Sequence, residues 1–338
     1  MWSDNFKHVV ILCTLNRENS VFRLLESLRN TQIGIELLVI CVESSNDFEY
    51  HDRISKSIKQ SFNQASEVIY DPGGLPTCRN LAISKFLASK SAGEKLVHFF
   101  DDDITVETNY FSQAEYFFEV NKGVAGGGPR IADLYLPQKN SNRFLEFLGS
   151  SEQGNFGKIT RSGKNYWFPD ISSLKSASVD WIPGCCMIFR SVVLEKFRFN
   201  INLEKGPGQN YALGEDAEFT WRVSKYHDLA FIPSMRITHY LAPSKRDDMQ
   251  LMLKGNAIWT AYLYRLTYGR VRIGSVLLSQ LIEKVGLFCY QRFRIEGFVM
   301  FLKLNFYRGV IFNVVLFFRY VVFFFHELIS RTLKTQND

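Results

Sequence analysis

The chain has 338 residues, of which 46% are hydrophobic and 22% are charged. This composition supports a folded core and excludes a disordered protein, and the length accommodates one large domain or one domain with an appendage. The formal net charge of +6 suits a phosphate-bearing ligand or an anionic membrane surface and does not by itself indicate nucleic acid.

The six cysteines form neither a Cys-x-x-Cys pair nor a set with zinc-site spacing. Several lie inside apolar runs, so we expect buried free thiols, which favour a reducing compartment. No apolar signal sequence precedes the first predicted strand, so we expect the folded part of the chain in the cytoplasm.

The N-terminal part predicts a strand, a helix and a second strand. The apolar run HVVILCT at 8–14 is typical of a parallel strand buried on both faces, and residues 35–42 repeat that character. Residues from about 20 to 29 have helical periodicity. The residues that would share one helix face are Val21, Leu24, Leu25 and Leu28.

Polar residues follow both strands. Ligands of β-α-β units bind beyond the carboxyl ends of the strands, so we expect these polar side chains to gather there. They are Asn16, Arg17, Glu43 and Asp47.

A short third strand is predicted at 67–70, followed by a glycine turn and a helix that Thr77 would cap and that would end near Ser89. Arg79 lies close to this helix N-terminus, and such positions attract phosphate. The alternative is an ordinary capped helix with a surface arginine.

The next apolar strand, LVHFF, ends in three consecutive carboxylates, Asp101, Asp102 and Asp103. Like charges this close repel one another and are costly to desolvate without a cation. A divalent ion such as Mg²⁺ or Mn²⁺, itself holding a ligand's phosphates, would suit oxygen ligands of this kind. The alternative is a solvated acidic turn.

The middle of the chain is less regular. A helix is predicted at 109–120, and a glycine-rich strand or turn without dinucleotide-binding spacing at 124–130. The polar region 131–178 would form a small hairpin insertion or a mobile lid. An apolar strand at 179–190 is interrupted by Pro183-Gly184.

The remaining elements surround a second acidic pair. A short helix is predicted at 191–197, an irregular region at 200–213, and a helix opening at Gly214 with Glu215 and Asp216 in its first turn. Carboxylates there would suit the helix dipole without further function, which is the alternative to a catalytic role. The last strands are predicted at 229–232 and 236–239, before a polar loop at 240–248.

Eight segments, in this order, resemble the family 2 glycosyltransferases, inverting enzymes that use nucleotide sugars and have the GT-A fold. The segments are VVILCTLNR, VICVESSND, GGLPTCRNLAI, FFDDD, GGGPR, WIPGCCMIFR, GEDAEFTWRV and ITHY. The resemblance runs from about His8 to Asp248. It implies an α/β fold with a Rossmann-like mixed, mainly parallel sheet flanked by helices, and a catalytic domain at 1–248. Glu43 stands where members commonly have Asp.

The resemblance also implies roles for individual residues. Asp216 would be the general base, supported by Glu215. Asp101 and Asp103 would form the Asp-x-Asp pattern and, with His239, hold the metal ion, and Asp101 would also contact the ribose or a water on the metal. Alternative roles are a plain strand-end residue for Thr14 and a satisfied core residue for His239. The residues implied to bind the donor are Thr14, Asn16, Arg17, Glu43, Asp47, Arg79, Asp101, Asp102 and Gly184.

The reaction implied is direct displacement with inversion, in which a carboxylate deprotonates the acceptor hydroxyl and Mg²⁺ or Mn²⁺ stabilises the leaving diphosphate. The partners implied are a UDP-, GDP- or dTDP-linked sugar and a glycan or lipid-linked acceptor in cell-surface polysaccharide or lipopolysaccharide synthesis. No nucleic acid is expected.

The C-terminal residues 249–338 differ in character from the rest. Helices are predicted at 251–268 and 276–288, and residues 298–329 mix many large apolar residues with basic ones. The stretch 309–325 nearly reaches membrane-spanning length, but Arg319 falls inside it. We expect helices lying on the cytoplasmic face of the membrane, with a single span or packing on the catalytic domain or a second subunit as alternatives.

The sequence leaves two other functions as alternatives. A nucleotidyltransferase would need a glycine-rich activating loop near the N-terminus, where Cys13-Thr14-Leu15-Asn16-Arg17 stands instead. A catalytically silent, membrane-associated nucleotide-sugar-binding protein would have no need of the candidate base Asp216. Both are less favoured than the glycosyltransferase.

Overall fold

The computed structural model describes residues 6–15, 17–31, 34–43, 48–61, 65–71, 73–89, 93–132, 155–159, 165–203 and 214–240. Apart from Ile159, all of these residues belong to one compact unit. The boundary predicted at residue 248, the helices predicted after it, and most of the insertion or lid predicted at 131–178 lie outside the described residues. Within those ranges, no helix has the length and apolar character needed to cross a membrane.

The described residues form strands and helices that alternate through the first half of the chain. The strands are β1 (Lys7–Thr14), β2 (Ile35–Glu43), β3 (Ala65–Asp71), β4 (Lys95–Asp101), β5 (Ile104–Val106), β6 (Val124–Ala132), β7 (Ala177–Val179), β8 (Cys186–Arg190) and β9 (Asp228–His239). The helices are α1 (Glu18–Asn30), α2 (Phe48–Ser61), α3 (Leu75–Ala88), α4 (Tyr110–Val120), α5 (Ser191–Lys196) and α6 (Glu215–Ser224), with a short 3₁₀ turn at Ile201–Leu203.

The strands form one mixed sheet in the order β3-β2-β1-β4-β8-β6-β9-β5, and β7 pairs with β9. The half that contains β3, β2, β1 and β4 is parallel, as the sequence predicts. In the other half only β6 and β9 run parallel, and the remaining pairings are antiparallel. The predicted mixed sheet is therefore present, with parallel pairing concentrated in the N-terminal half.

The buried faces follow the apolar patterns of the sequence. Residues 9–13 of β1 are buried, and helix α1 buries the four residues predicted to share its apolar face, Val21, Leu24, Leu25 and Leu28. Strand β6 needs its glycines because side chains of the neighbouring strands occupy the space that a Cβ would take. A Cβ on Gly126 would lie 2.4 Å from the Phe189 ring, and one on Gly127 would lie 2.6 Å from Ile232 Cδ1.

The structure corrects several predicted elements. Helix α2 was not predicted, and the last two predicted strands are one continuous strand, β9. Thr77 is not the N-cap of α3, because the helix begins at Leu75 after Gly74, with Pro76 in its first turn. Proline suits that position because its missing N–H would have no helical partner there.

The described cysteines are buried and free, as predicted: Cys13, Cys41, Cys78, Cys185 and Cys186. Cys289 lies outside the described residues.

Candidate active site

The three aspartates lie where β4 leaves the sheet, beside the carboxyl end of β1. Cys13 of β1 is in register with Asp101 of β4, so Thr14 and the acidic triplet meet at the same sheet edge. Asp102 is 3% exposed and Asp103 is 7% exposed. The solvated acidic turn considered as the alternative is therefore wrong, because two of the three carboxylates are removed from water.

Asp102 binds residues from the end of β1. The Thr14 hydroxyl donates to Asp102 Oδ2 at 2.7 Å, and Arg17 Nη1 donates to Asp102 Oδ1 at 3.0 Å. Burial raises the pKa of Asp102 to about 6, although these two donors oppose the shift. Thr14 thus has a side-chain partner in the acidic triplet, and Asp102 fixes Arg17 at the edge of the site.

Asp103 connects β4 to the last strand. Its Oδ2 accepts from Arg17 Nη1 at 3.3 Å, its Oδ1 lies 3.1 Å from His239 Nε2, and its backbone oxygen accepts from Tyr240 N at 2.8 Å. Residues 136 positions apart in the chain are thereby joined. The structure brings together Asp103 and His239, two of the predicted metal ligands.

Asp101 faces another arginine. Arg79 Nη2 donates to Asp101 Oδ1 at 3.0 Å, while the Asp101 side chain keeps 27% exposure. Burial and the nearby charges of Asp103 and Asp216 raise the pKa of Asp101, and Arg79 and His239 oppose that shift. Asp101 is thus the member of the triplet with the greatest access to solvent, and to a ligand.

Arg79 is a buried junction between distant parts of the fold. It is 2% exposed, and besides Asp101 it donates to Glu215 Oε1 and to the Gly184 backbone oxygen, each at 3.0 Å. Its guanidinium also lies over the Phe199 ring. The negative charges of Asp101 and Glu215 outweigh burial and raise the pKa of Arg79. The alternative of a surface arginine is wrong, because the side chain is buried and both Nη1 and Nη2 bind protein groups.

Asp216 is oriented by two backbone amides. Gly184 N donates to Asp216 Oδ2 at 2.6 Å, and Ala217 N donates to Oδ1 at 2.8 Å. Gly184 must be small here, because a Cβ on it would lie 3.0 Å from Asp216 Cβ. Helix α6 starts at this point because Gly214, its N-cap, adopts a φ of 77° in the left-handed region.

Glu215 lies beside Asp216 but is turned toward Arg79. It is 5% exposed, and burial together with the charge of Asp216 raises the pKa of Glu215 to about 8, against the attraction of Arg79. The two acidic residues of α6 thus differ: Glu215 binds the buried arginine, and Asp216 is held by backbone donors.

The described residues contain no group of three or more His, Cys, Asp and Glu side chains arranged to hold a metal ion by themselves. Asp101 and Asp103 nevertheless offer two carboxylates, one of them partly exposed. Mg²⁺ is usually bound by one or two carboxylates together with the phosphates of a substrate. The donor set therefore fits an ion that arrives with a diphosphate.

Most of the predicted site residues that the structure describes converge in one region. These are Thr14, Arg17, Arg79, Asp101, Asp102, Asp103, Gly184, Glu215, Asp216 and His239. Asn16 and Asp47 lie outside the described residues, and of Glu43 only the backbone, at the end of β2, is described. Their predicted contacts with the nucleoside stay predictions.

Sequence reasoning missed one supporting residue, Thr220. Its hydroxyl donates to the Asp216 backbone oxygen at 2.7 Å and accepts from Ile182 N at 3.1 Å. A threonine four residues after Asp216 on a predicted helix can reach back to that carbonyl, and this spacing was the available signal.

No protein-family model matches the sequence, and no curated protein matches it. Among solved structures, the chain is similar to Staphylococcus aureus TarS 1-349, with 17% identity and a TM-score of 0.46 over 82% of this chain and 80% of that one. A longer S. aureus TarS structure gives 18% identity and a TM-score of 0.48 over 94% of this chain and 49% of that one. TarS 1-349 in complex with UDP gives 16% and 0.43 over 75% of this chain and 65% of that one. At such low identity, function has to be argued from the site itself.

Proposed function

We propose that the protein is an inverting glycosyltransferase of the GT-A fold, resembling family 2, which moves a sugar from a nucleoside-diphosphate donor to an acceptor hydroxyl. The observation that carries the proposal is the convergence of two acidic groups. Arg79 joins Asp101, at the end of β4, to Glu215, at the start of α6, and Gly184 joins the same arginine to Asp216.

Asp216 is the proposed general base. A carboxylate has about four lone-pair sites, and the amides of Gly184 and Ala217 use one on each oxygen. The remaining sites can accept the proton of an acceptor hydroxyl within hydrogen-bond reach. Because both amides fix the carboxylate, its orientation does not have to be set when the substrate arrives.

The acidic triplet is the proposed binding site for the diphosphate of the nucleotide-sugar donor. Asp101 and Asp103, with His239 beside Asp103, would hold a Mg²⁺ or Mn²⁺ ion, which when bound supplies positive charge to the leaving diphosphate. Asp102 and Thr14 position Arg17, whose side chain is 35% exposed and whose guanidinium can offer its remaining donors to a ligand at this edge.

Glu215 and Arg79 are positioning residues in this proposal. Neither needs to touch the reacting atoms, because Arg79 already binds Asp101, Glu215 and the Gly184 carbonyl. The guanidinium keeps the metal-binding carboxylate and the loop that orients Asp216 at a fixed separation. The predicted contact of Arg79 with the nucleotide-sugar donor stays a prediction.

The acceptor would be a glycan or a lipid-linked glycan, as in cell-surface polysaccharide or lipopolysaccharide synthesis at the cytoplasmic face of the membrane. The support for this part is the resemblance and the interleaved basic and apolar residues of 249–338.

The test is the thermal stability of the full chain with UDP, GDP, dTDP or CMP, each with and without Mn²⁺. A ligand that binds the native state raises the melting temperature by mass action. We expect one nucleoside diphosphate to stabilise the protein, and to do so more with Mn²⁺. If none shifts the melting temperature at millimolar concentration, the proposal is wrong.

The variant Asp216→Asn separates an enzyme from a silent binding protein. The amide keeps an oxygen for the Gly184 amide but cannot take up a proton, so we expect nucleotide binding to persist and transfer to fall by about 10²- to 10⁴-fold. If Asp216→Asn transfers sugar at the wild-type rate, Asp216 is not the general base.

A further inference from the structure

Trp181 has a buried indole N–H that has no hydrogen-bond partner among the residues that the structure describes. The residue is 6% exposed, and none of the described residues offers an acceptor to its Nε1 atom. Indole N–H groups that are buried in proteins usually have a partner, and an unpaired one costs free energy. Such a group needs an explanation, and a substrate that supplies the missing acceptor is one.

Three other buried polar atoms of the described residues, on Arg23, Arg130 and Arg236, also lack a hydrogen-bond partner. Each belongs to an arginine that is engaged with a ring or a charge: Arg23 lies over the Tyr240 ring, and Arg130 and Arg236 form ion pairs with Asp170. Tryptophan has a single polar atom. Trp181 is therefore the member of this set whose entire hydrogen-bonding capacity is unused.

The position of Trp181 ties the unpaired donor to the candidate base. Trp181 lies on the short segment between β7 and β8 that also carries Ile182 and Gly184. Ile182 N donates to Thr220 Oγ1 on α6, and Gly184 N donates to Asp216 Oδ2. Three residues of chain span at most about 10 Å, so the backbone of Trp181 lies within that distance of Gly184, whose N–H binds Asp216.

Trp167 provides a contrast within the same cluster. Its ring meets that of Trp181 edge to face, with centroids 5.6 Å apart, and it is 7% exposed. Trp167 Nε1, however, donates to the Pro129 carbonyl at 2.9 Å. Two neighbouring indoles of similar burial thus differ in one respect, the presence of a protein acceptor for the N–H.

We propose that Trp181 Nε1 donates a hydrogen bond to a carbohydrate hydroxyl bound beside Asp216, and that Trp181 is a specificity-determining residue of the site. A neutral N–H with no acceptor lone pair suits a neutral hydroxyl oxygen. The segment that carries Trp181 holds the base, which must face the acceptor hydroxyl and the sugar being transferred. The inference rests on the proposed function and deepens it.

The first experiment observes the donor directly. The chain has five tryptophans, so protein labelled with ¹⁵N-indole gives at most five side-chain N–H signals. The signals missing from W181F and W167F assign Trp181 and Trp167. We titrate UDP-glucose, UDP-N-acetylglucosamine, GDP-mannose and dTDP-rhamnose, and then the matching nucleoside diphosphates, each with Mn²⁺.

If the hydroxyl belongs to the donor sugar, one nucleotide sugar shifts the Trp181 signal and its nucleoside diphosphate does not. If it belongs to the acceptor, the Trp181 signal responds to neither, and W181F raises the KM for the acceptor by about 10-fold or more while the KM for the donor is unchanged. Either result supports the proposal, and the two distinguish the sources of the hydroxyl.

The second experiment compares W181F with W167F. Both variants lose the same buried ring atoms, but only W167F also leaves the Pro129 carbonyl unpaired, so W167F should lower the melting temperature more than W181F does. The proposal is overturned if wild-type protein transfers sugar, the Trp181 signal never responds and W181F has wild-type kinetics. If wild-type protein binds no nucleotide at all, the proposed function itself fails, and this inference fails with it.

Discussion

Arg79 Nη1 lies 3.0 Å from Glu215 Oε1, although the two residues are separated by 136 positions in the chain. The same guanidinium reaches Asp101 and the carbonyl of Gly184. Because Gly184 also donates to Asp216, one buried cation links the acidic end of β4 to the first turn of α6. The relative position of the proposed donor site and the proposed base depends on this junction.

We expect Arg79→Met to lower the free energy of unfolding by about 3–5 kcal/mol, because it leaves Glu215 and Asp101 without their buried cation. Urea denaturation measures the change. Arg53→Met is the matched control, because Arg53 pairs with Glu18 on the surface at 47% exposure and should cost about 0–1 kcal/mol. Equal losses in the two variants would contradict the central role given to Arg79.

Gly184→Ala tests the contact between the loop and the base. The new Cβ would lie 3.0 Å from Asp216 Cβ and 3.1 Å from Oδ2, so the carboxylate has to shift by a few tenths of an ångström. Small displacements of reacting groups are costly for rate, and we expect kcat to fall on the order of 10-fold or more.

The matched control for this substitution is Gly123→Ala, where no atom lies within 4 Å of the added Cβ. Transfer rate and melting temperature are measured for both variants. G184A should lose rate with a small change in melting temperature, and G123A should keep the wild-type rate. A fully active G184A would show that the orientation of Asp216 is not limiting.

Much of the fold could be predicted because its signals are local. Continuous apolar runs mark β1, β2 and β4, and the spacing of Val21, Leu24, Leu25 and Leu28 marks α1. Helix α2 was missed because it is polar, with isoleucine at only two of its positions, 54 and 58.

The candidate site could be predicted only in part. The order of the motifs indicates which residues belong to it, but no local pattern indicates which carboxylate each arginine binds. Arg17 lies with Asp102 and Asp103, whereas Arg79 lies with Asp101 and Glu215. Those pairings depend on the side-by-side placement of β1, β4 and the loop before β8, which is a property of the folded sheet.

The raised pKa values predict a pH dependence of stability. The pKa of Glu215 is about 8 in the folded protein against an ordinary value near 4.5, so the folded state holds this proton more tightly than the unfolded state. The contribution of Glu215 to stability is therefore present below about pH 4.5 and is lost as the pH rises through 8. Glu215→Gln removes this dependence, so its stability relative to wild type should increase from pH 5 to pH 8.5.

Asp102→Asn is the companion variant. The pKa of Asp102 is about 6, so the contribution of Asp102 to stability is lost at a lower pH than that of Glu215. The stability of D102N relative to wild type should rise between pH 4 and pH 6 and then level off. Urea midpoints measured from pH 4 to pH 9 for wild type, E215Q and D102N distinguish the pH range in which Glu215 affects stability from the range in which Asp102 does. Parallel curves for E215Q and wild type between pH 6 and pH 8.5 would contradict the raised pKa of Glu215.

Asp103→Asn tests the proposed binding site for the diphosphate. The amide can still lie beside His239 and Arg17, but it is a weak ligand for a hard divalent ion, so the extra stabilisation that Mn²⁺ gives to a bound nucleoside diphosphate should disappear. We expect the affinity for the nucleotide with Mn²⁺ to fall at least about 10-fold, and the metal-free affinity to change little. Asp228→Asn is the control, because it removes the same charge from an exposed residue at the start of β9. This variant should retain the full Mn²⁺ effect. A Mn²⁺ effect of wild-type size in D103N would mean that Asp103 does not hold the ion, and that its role is to bind Arg17 and His239.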